Sequence, residues 1–263
     1  MNNIVANFSQ ILDFAQKQGM PINKKRGIIR EYIQSRFIAT LYSTAQAGKL
    51  SFVGGTSLRL LRDLPRFSED LDFDNHGLKS SQVEGLIEAV VKQFRQTNIE
   101  LKISLKGEKT YVEIKFPRLL FDLKISTNPK EKLKIKIDWS HNWKLETETV
   151  LMNKYGFVEQ VVTNKIDQIL VQKLTAYAER KQVQPRDMFD IVWMFSRWPN
   201  LFKPEYVEKS GSKKLFQNAL IRFEKVGLNE AMKRRLKPFL FEENEVRKLE
   251  LFEQVLRQAT LKE

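Results

Sequence analysis

The chain has 263 residues, 42% of them hydrophobic, enough for one large domain or two small ones with a substantial core. It has no cysteine and only two histidines, which excludes disulfides, thiolate zinc sites and cysteine nucleophiles and leaves a Ser-His-Asp triad poorly provisioned. The formal net charge of +13 points to a polyanionic partner, and nucleic acid is the commonest.

Helical spacing opens the chain over residues 2–18, with Ile4, Val5, Phe8, Ile11, Leu12, Phe14 and Ala15 on one face. The first five residues lack a basic region, and no apolar run approaches the roughly twenty residues of a membrane helix. The expectation is a cytoplasmic protein with no secretion signal and no membrane span. Pro21 interrupts the first helix. Residues 24–47 read as a longer one, with Ile28, Ile29, Tyr32, Ile33, Phe37 and Leu41 inward and Gly48 at its end. Residues 50–53 form a short buried strand that runs into Gly54-Gly55. A short helix over 57–63 follows, then a strand from Leu71 and an amphipathic helix over 80–97.

The pattern then changes to period two. Residues 99–104, 110–117 and 132–139 alternate apolar and polar side chains, as half-exposed strands do. Their surroundings are rich in lysine: Lys102, Lys106, Lys109, Lys115, Lys124, Lys132, Lys134 and Lys136. Such lysines either guard a solvated sheet edge or meet an RNA backbone. From Val162 onward the chain reads as helices over 165–182, 186–197, 213–226, 228–236 and 242–261, with Pro199 and Pro204 as breaks. The expected division is an α+β domain with N-terminal helices over 1–160 and a helical domain over 161–263.

Two stretches carry chemistry. In Gly54-Gly55-Thr56-Ser57 … Glu69-Asp70-Leu71-Asp72-Phe73, a strand through Leu71 would point Asp70 and Asp72 to one face. Two carboxylates so placed repel unless a cation lies between them. Magnesium suits, because it is held by one or two carboxylates plus substrate phosphates. The glycines offer bare backbone N–H groups to phosphate oxygens. Arg66 and Ser68 either meet phosphate charge there or cap the turn. A third carboxylate usually completes such a pair. Asp138 ends an alternating strand and is the candidate, with Asp122 as competitor. In the second stretch, Lys173 and Arg180 are seven residues apart and would share a helical face that suits a triphosphate tail. Asp187 and Asp190, one turn apart on the next helix, would grip Arg180, Arg186 or the nucleotide; read alone, the residues of this stretch serve more often as surface salt-bridge residues. His76 and His141 read as loop residues. The basic run Lys233-Arg234-Arg235-Leu236-Lys237, with Trp193, Trp198 and Phe202 near in sequence, offers base stacking or, better for Trp193, core packing.

Gly-Gly-Thr, a spacer and Asp-x-Asp resemble the first motif of the polymerase-β-like nucleotidyltransferase superfamily. The fuller string, Gly54 to Leu58 and Arg66 to Phe73, resembles the AbiEii/AbiGii-type nucleotidyltransferase toxins of bacterial toxin–antitoxin systems. The resemblance spans roughly residues 48–195 and includes the lysine at 173 and the string Arg186-Asp187-Met188-Phe189-Asp190. It implies an α+β fold: a small mixed sheet with N-terminal helices and a helical C-terminal half. It also implies transfer of a nucleoside monophosphate from an NTP to an acceptor hydroxyl, with Mg2+ or Mn2+. By that resemblance Asp70, Asp72 and Asp138 bind metal and catalyse, and Lys173 assists. Gly54, Gly55, Thr56, Ser57, Arg66, Ser68, Arg180, Asp187 and Asp190 hold the nucleotide, Thr56 through its hydroxyl. Known relatives act as toxins, some by adding nucleotides to the 3′ end of tRNA, so the resemblance implies RNA and a cognate antitoxin as partners. Protein nucleotidylation and a non-catalytic RNA-binding module on the same fold are the alternatives.

Overall fold

Alternating strands and the glycine turn converge on one mixed sheet. The computed structural model describes residues 3–96, 100–105, 111–140 and 146–260. The chain divides into two compact units, Met1–Asn164 and Lys165–Glu263. The first holds a seven-stranded sheet: β1 (Leu50–Val53), β2 (Leu71–Asn75), β3 (Lys102–Leu105), β4 (Tyr111–Phe116), β5 (Leu133–Ser140), β6 (Thr147–Lys154) and β7 (Phe157–Asn164). Their order is β3-β4-β5-β2-β1-β7-β6. β2 lies antiparallel to β1 and parallel to β5, β1 lies parallel to β7, and the outer pairs are antiparallel. Helices α1 (Asn3–Ala6), α2 (Phe8–Lys17), α3 (Lys25–Tyr42), α4 (Gly54–Arg62), α5 (Ser80–Gln96) and α6 (Leu119–Asp122) complete the unit.

The alternation in β4 and β5 sends Val112, Ile114, Phe116, Leu133, Ile135 and Ile137 to one buried face. There Ile114, Phe116 and Ile135 meet Ile33 and Phe37 of α3 and Val91 and Phe94 of α5. Each large apolar side chain so removed from water contributes about 1.5–3 kcal/mol. Tyr111, Glu113, Lys115, Lys136 and Asp138 stand on the other, half-exposed face. α3 is tied to its neighbours by polar contacts. Glu31 accepts from Arg59 of α4 at 2.9 and 3.1 Å, with both residues buried. The Tyr42 hydroxyl donates to the carbonyls of Leu50 and Val162, at 2.7 and 3.0 Å.

The structure revises several expected boundaries. The helix expected to reach residue 47 stops at Tyr42, where Ser43 and Thr44 turn their hydroxyls back onto the carbonyls of Thr40 and Leu41 and so compete with the helix ladder. A 3-10 turn, Ala45–Lys49, leads into β1. The β6–β7 hairpin was not anticipated. β6 is mostly exposed, and only Met152 and Lys154 turn inward, so its alternation is faint. Gly156 is half of a two-residue hairpin turn, with φ +53 at Tyr155 and +80 at Gly156, closed by the Lys154–Phe157 pair.

The second unit is helical: α7 (Ile166–Glu179), α8 (Pro185–Arg197), α9 (Pro204–Lys209), α10 (Lys213–Val226), α11 (Glu230–Leu236) and α12 (Phe252–Thr260). Phe202, Phe216, Tyr177 and Phe252 fill its core, the last two with ring centroids 4.7 Å apart. Arg180 takes an extended conformation (φ −59, ψ 137) and ends α7, so it does not share a helical face with Lys173. The region 242–261 begins as a 3-10 segment, Glu243–Leu251, before α12. Trp193 and Phe202 are buried, and Trp193 packs edge-on against Trp198, so neither offers a platform for a base. Among the described residues no helix is long and apolar enough to cross a membrane.

Candidate active site

β1 ends at Val53 and α4 begins at the next residue, so Gly54 and Gly55 are the first turn of the helix, not a loop before a helix at Ser57. Gly54 has φ +78, and a Cβ there would lie 2.3 Å from Asp72 Oδ2. A Cβ on Gly55 would lie 2.6 Å from an Arg66 guanidinium nitrogen and 2.9 Å from Ser68 Oγ. Glycine at both places lets a carboxylate, a guanidinium and a hydroxyl close over the start of the helix. The first N–H groups of α4 lack intrahelical acceptors and carry the positive end of the helix dipole. Thr56 and Ser57 are buried. The Thr56 hydroxyl donates to the Asp70 carbonyl at 2.5 Å, and the Ser57 hydroxyl to the Gly54 carbonyl at 3.1 Å. The Thr56 hydroxyl therefore fastens the turn to the residue just before β2, while the Ser57 hydroxyl closes the turn on itself.

The loop before β2 is set by α3. Gln34 donates to the carbonyls of Ser68 and Glu69, at 3.3 and 2.9 Å, and Arg30 pairs with Glu69 at 3.0 Å. Burial pulls the Arg30 pKa down, while Glu69 and Asp70 push it up without prevailing. Arg66 is buried and donates to its neighbour's carbonyl, Phe67, at 2.9 Å.

Parallel pairing of β2 with β5 places Asp72 directly beside Asp138, with Leu71 beside Ile137 and Asp74 beside Ser140. Register partners on adjacent strands stand about 4.8 Å apart and share a face. Asp122, by contrast, ends α6 on the surface, 3.5 Å from Arg118. Of the two candidates for third carboxylate, only Asp138 is on a strand beside the pair. The alternation continues to Asp74, which is buried and accepts from Asn164 Nδ2 at 2.6 Å and from Ser140 Oγ at 3.3 Å. The spacing Asp70-x-Asp72-x-Asp74 carries the signal for this third aspartate in the sequence. Lys136, one of the many lysines of this region in the sequence, is set apart by its contact. The Lys136 ammonium lies 2.5 Å from Asp138 Oδ2. Burial pulls its pKa down, but the hydrogen bond to Asp138 and the charges of Asp138, Asp70 and Asp72 outweigh burial and leave it raised.

Among the described residues no three His, Asp or Glu side chains form a ready-made metal cage. The fit is to an open site: hard carboxylate oxygens on adjacent strands, whose combined charge already draws an ammonium, with phosphates left to complete the coordination. On the same sheet face Lys102, Lys115 and Lys134 are consecutive cross-strand partners. Lys115 and Lys134 both lean on Glu113, at 2.9 and 3.7 Å. Lys106, Lys109 and His141 lie outside the described residues. His76 is a loop residue whose Nε2 meets Ser51 Oγ at 2.7 Å.

In the second unit, Lys173 bridges Asp187 at 3.2 Å and Asp190 at 2.7 Å, and all three are buried. Arg180, 52% exposed, reaches the other oxygen of Asp187 at 2.7 Å. Pro185 at the first position of α8 and Asp187 in its first turn give that helix good N-terminal chemistry.

The fold is that of nucleotidyltransferases. It is similar to MenT4, a nucleotidyltransferase toxin from Mycobacterium tuberculosis, with TM-score 0.60 and 17% identity over 96% of this chain and 92% of that one. It is also similar to a putative nucleotidyltransferase from H. pylori, with TM-score 0.52 and 19% identity over 89% of this chain and 96% of that one. No curated protein matches the sequence significantly. Residues 36–258 match the family described as nucleotidyl transferase AbiEii toxin, type IV toxin–antitoxin system. The chain belongs to that family and is a nucleotidyltransferase toxin. Membership implies an antitoxin partner, and enzymes of this family generally use an NTP and a divalent metal ion.

Proposed function

We propose that this enzyme works in the cytoplasm, with Mg2+ or Mn2+, and transfers a nucleoside monophosphate from an NTP to the 3′ hydroxyl of an RNA, tRNA first among acceptors. The observation that carries the reading is the register of Asp72 with Asp138 beside the start of α4, on a sheet face that continues into the Lys102, Lys115 and Lys134 row. The first N–H groups of α4 receive phosphate oxygens. Arg66 and Ser68, against Gly55, offset and orient that charge. Asp70, Asp72 and Asp138 hold the metal ion, which when bound supplies Lewis-acid charge on the phosphates and a lowered pKa for the attacking hydroxyl. The lysine row receives the acceptor backbone. Arg180 is the exposed cation of the Lys173, Asp187 and Asp190 cluster, and a phosphate would compete with Asp187 for it; Lys173, Asp187 and Asp190 set its position.

The test is incubation of the purified protein with Mg2+, total tRNA and each α-labelled NTP, followed by a denaturing gel. The expected result is label on RNA with one or more nucleotides, lost in Asp72→Asn. Label on protein would transfer the same chemistry to a protein acceptor. No label with any NTP would overturn the reading.

A further inference from the structure

Lys136 sits two residues before Asp138 on β5, on the same face. Its cross-strand partner is Glu113, which would be the ordinary mate for a strand lysine. Glu113 is instead engaged by Lys115 and Lys134, and Lys136 turns the other way, onto Asp138 Oδ2. There its ammonium also lies 4.5 Å from the centroid of the Tyr111 ring. Tyr111 is itself the cross-strand partner of Asp138. The cation is thus held from two sides, by a carboxylate and by an aromatic face. The side chain remains 41% exposed, so its four-carbon stem has a way out to solvent.

We propose that Lys136 competes with the divalent ion for Asp138, so that metal binding requires the ammonium to swing away and Lys136 sets the metal affinity of the site. The inference rests on the reading of Asp70, Asp72 and Asp138 as the metal-binding carboxylates. Like charges cannot share one carboxylate oxygen at close range, so ammonium and metal occupy it in turn. A lysine placed this way offsets the mutual repulsion of the aspartates until a metal ion arrives. Once displaced, it joins Lys134 on the face proposed to take the acceptor backbone. Loading of the metal is thereby linked to an added positive charge for the acceptor.

Mn2+ is the probe, its binding followed by the electron paramagnetic resonance of the free ion, with full-length protein and no nucleotide. Lys136→Met, which keeps the stem and removes the charge, is expected to bind Mn2+ about tenfold more tightly than wild type, equivalent to about 1.4 kcal/mol. Lys136→Arg, which keeps the charge, is expected to stay close to wild type, and Asp72→Asn to lose binding. Unchanged or weaker Mn2+ binding in Lys136→Met would overturn the competition while leaving the metal site intact. Wild type binding no more Mn2+ than Asp72→Asn would instead overturn the carboxylate reading itself, and the competition with it.

Discussion

Gly54→Ala tests the packing of the site with a single methyl group. Gly54 and Gly19 have similar left-handed backbones, with φ +78 and +69, but a Cβ on Gly19 meets nothing within 4 Å and one on Gly54 lies 2.3 Å from Asp72 Oδ2. Alanine in that backbone region costs about 1–2 kcal/mol. In a protein of this size each kcal/mol lowers Tm by about 2–4 °C. That loss is common to Gly54→Ala and Gly19→Ala. The contact with Asp72 is not: relieving it to an ordinary separation of about 3.5 Å moves the carboxylate by about 1 Å. Misplacing a catalytic group by that much costs about 100-fold in rate. The expected result is kcat/KM for NMP incorporation into RNA about 100-fold lower in Gly54→Ala and nearly unchanged in Gly19→Ala, with similar melting temperatures. Activity of Gly54→Ala within about threefold of Gly19→Ala would refute the claim that the glycine exists to seat Asp72.

Three further outcomes are expected. Replacing Lys102, Lys115 and Lys134 by glutamine should weaken RNA binding and reduce the slope of log K against log salt by about one unit per lysine; filter binding from low to moderate salt measures it, and an unchanged slope removes the row from the acceptor path. Asp190→Ala should leave the buried Lys173 short of a partner and cost about 3–5 kcal/mol in urea unfolding. Arg180→Ala, at a half-exposed pair, should cost less than about 1 kcal/mol, and the reverse ranking would show that the cluster does not hold α7 to α8. Burial pushes the Tyr177 hydroxyl up to about 12 against the opposing charge of Arg222. Its neutral form therefore stabilises the fold fully below the unfolded value near pH 10, and that contribution is lost as pH rises from there through the folded value. The buried hydroxyl has no hydrogen-bond partner among the described residues. Tyr177→Phe should therefore unfold no more easily at pH 8 and should flatten the decline above pH 10; a variant that declines as steeply as wild type would assign the loss to another group.

Much of the site was legible because its parts are local. Gly54-Gly55 and Asp70-x-Asp72 lie within one β-α-β stretch, and Asp138 was placed by the alternation of its own strand. Its partner strand was not legible: nothing in period-two patterning says that β5 pairs with β2 in parallel and in the register that sets Asp138 beside Asp72. Here the resemblance supplied what spacing left open between Asp138 and Asp122. The local bonding of Thr56 and Ser57 was not legible, for a physical reason. A hydroxyl beside a glycine turn reads as a phosphate ligand, but once the helix starts at Gly54 itself these positions turn inward and bond to backbone carbonyls. Arg180 failed differently. Helical periodicity extends past the true end of α7 because no glycine or proline marks that end, and the chain is extended at Arg180 itself. The β6–β7 hairpin was missed because β6 is an edge strand whose inward positions include a lysine, Lys154, beside Met152, so its hydrophobic alternation is faint.

The central position of β1 and β2 has a consequence for the birth of the enzyme on the ribosome. The strand carrying Asp72 is next to β5, more than sixty residues later, and β1 is closed on its other side by β7, where Phe52 meets Thr163. Such parallel, distant pairings form slowly, because a long intervening loop must be closed before any contact rewards it. A nascent chain that has emerged only through its glycine turn and Asp-x-Asp holds the motif without its third carboxylate. It has no assembled centre until the strand bearing Asp138 docks. On the proposed reading of Asp138 as the third carboxylate, this topology would withhold toxicity from every truncated or half-translated copy that ends before that strand.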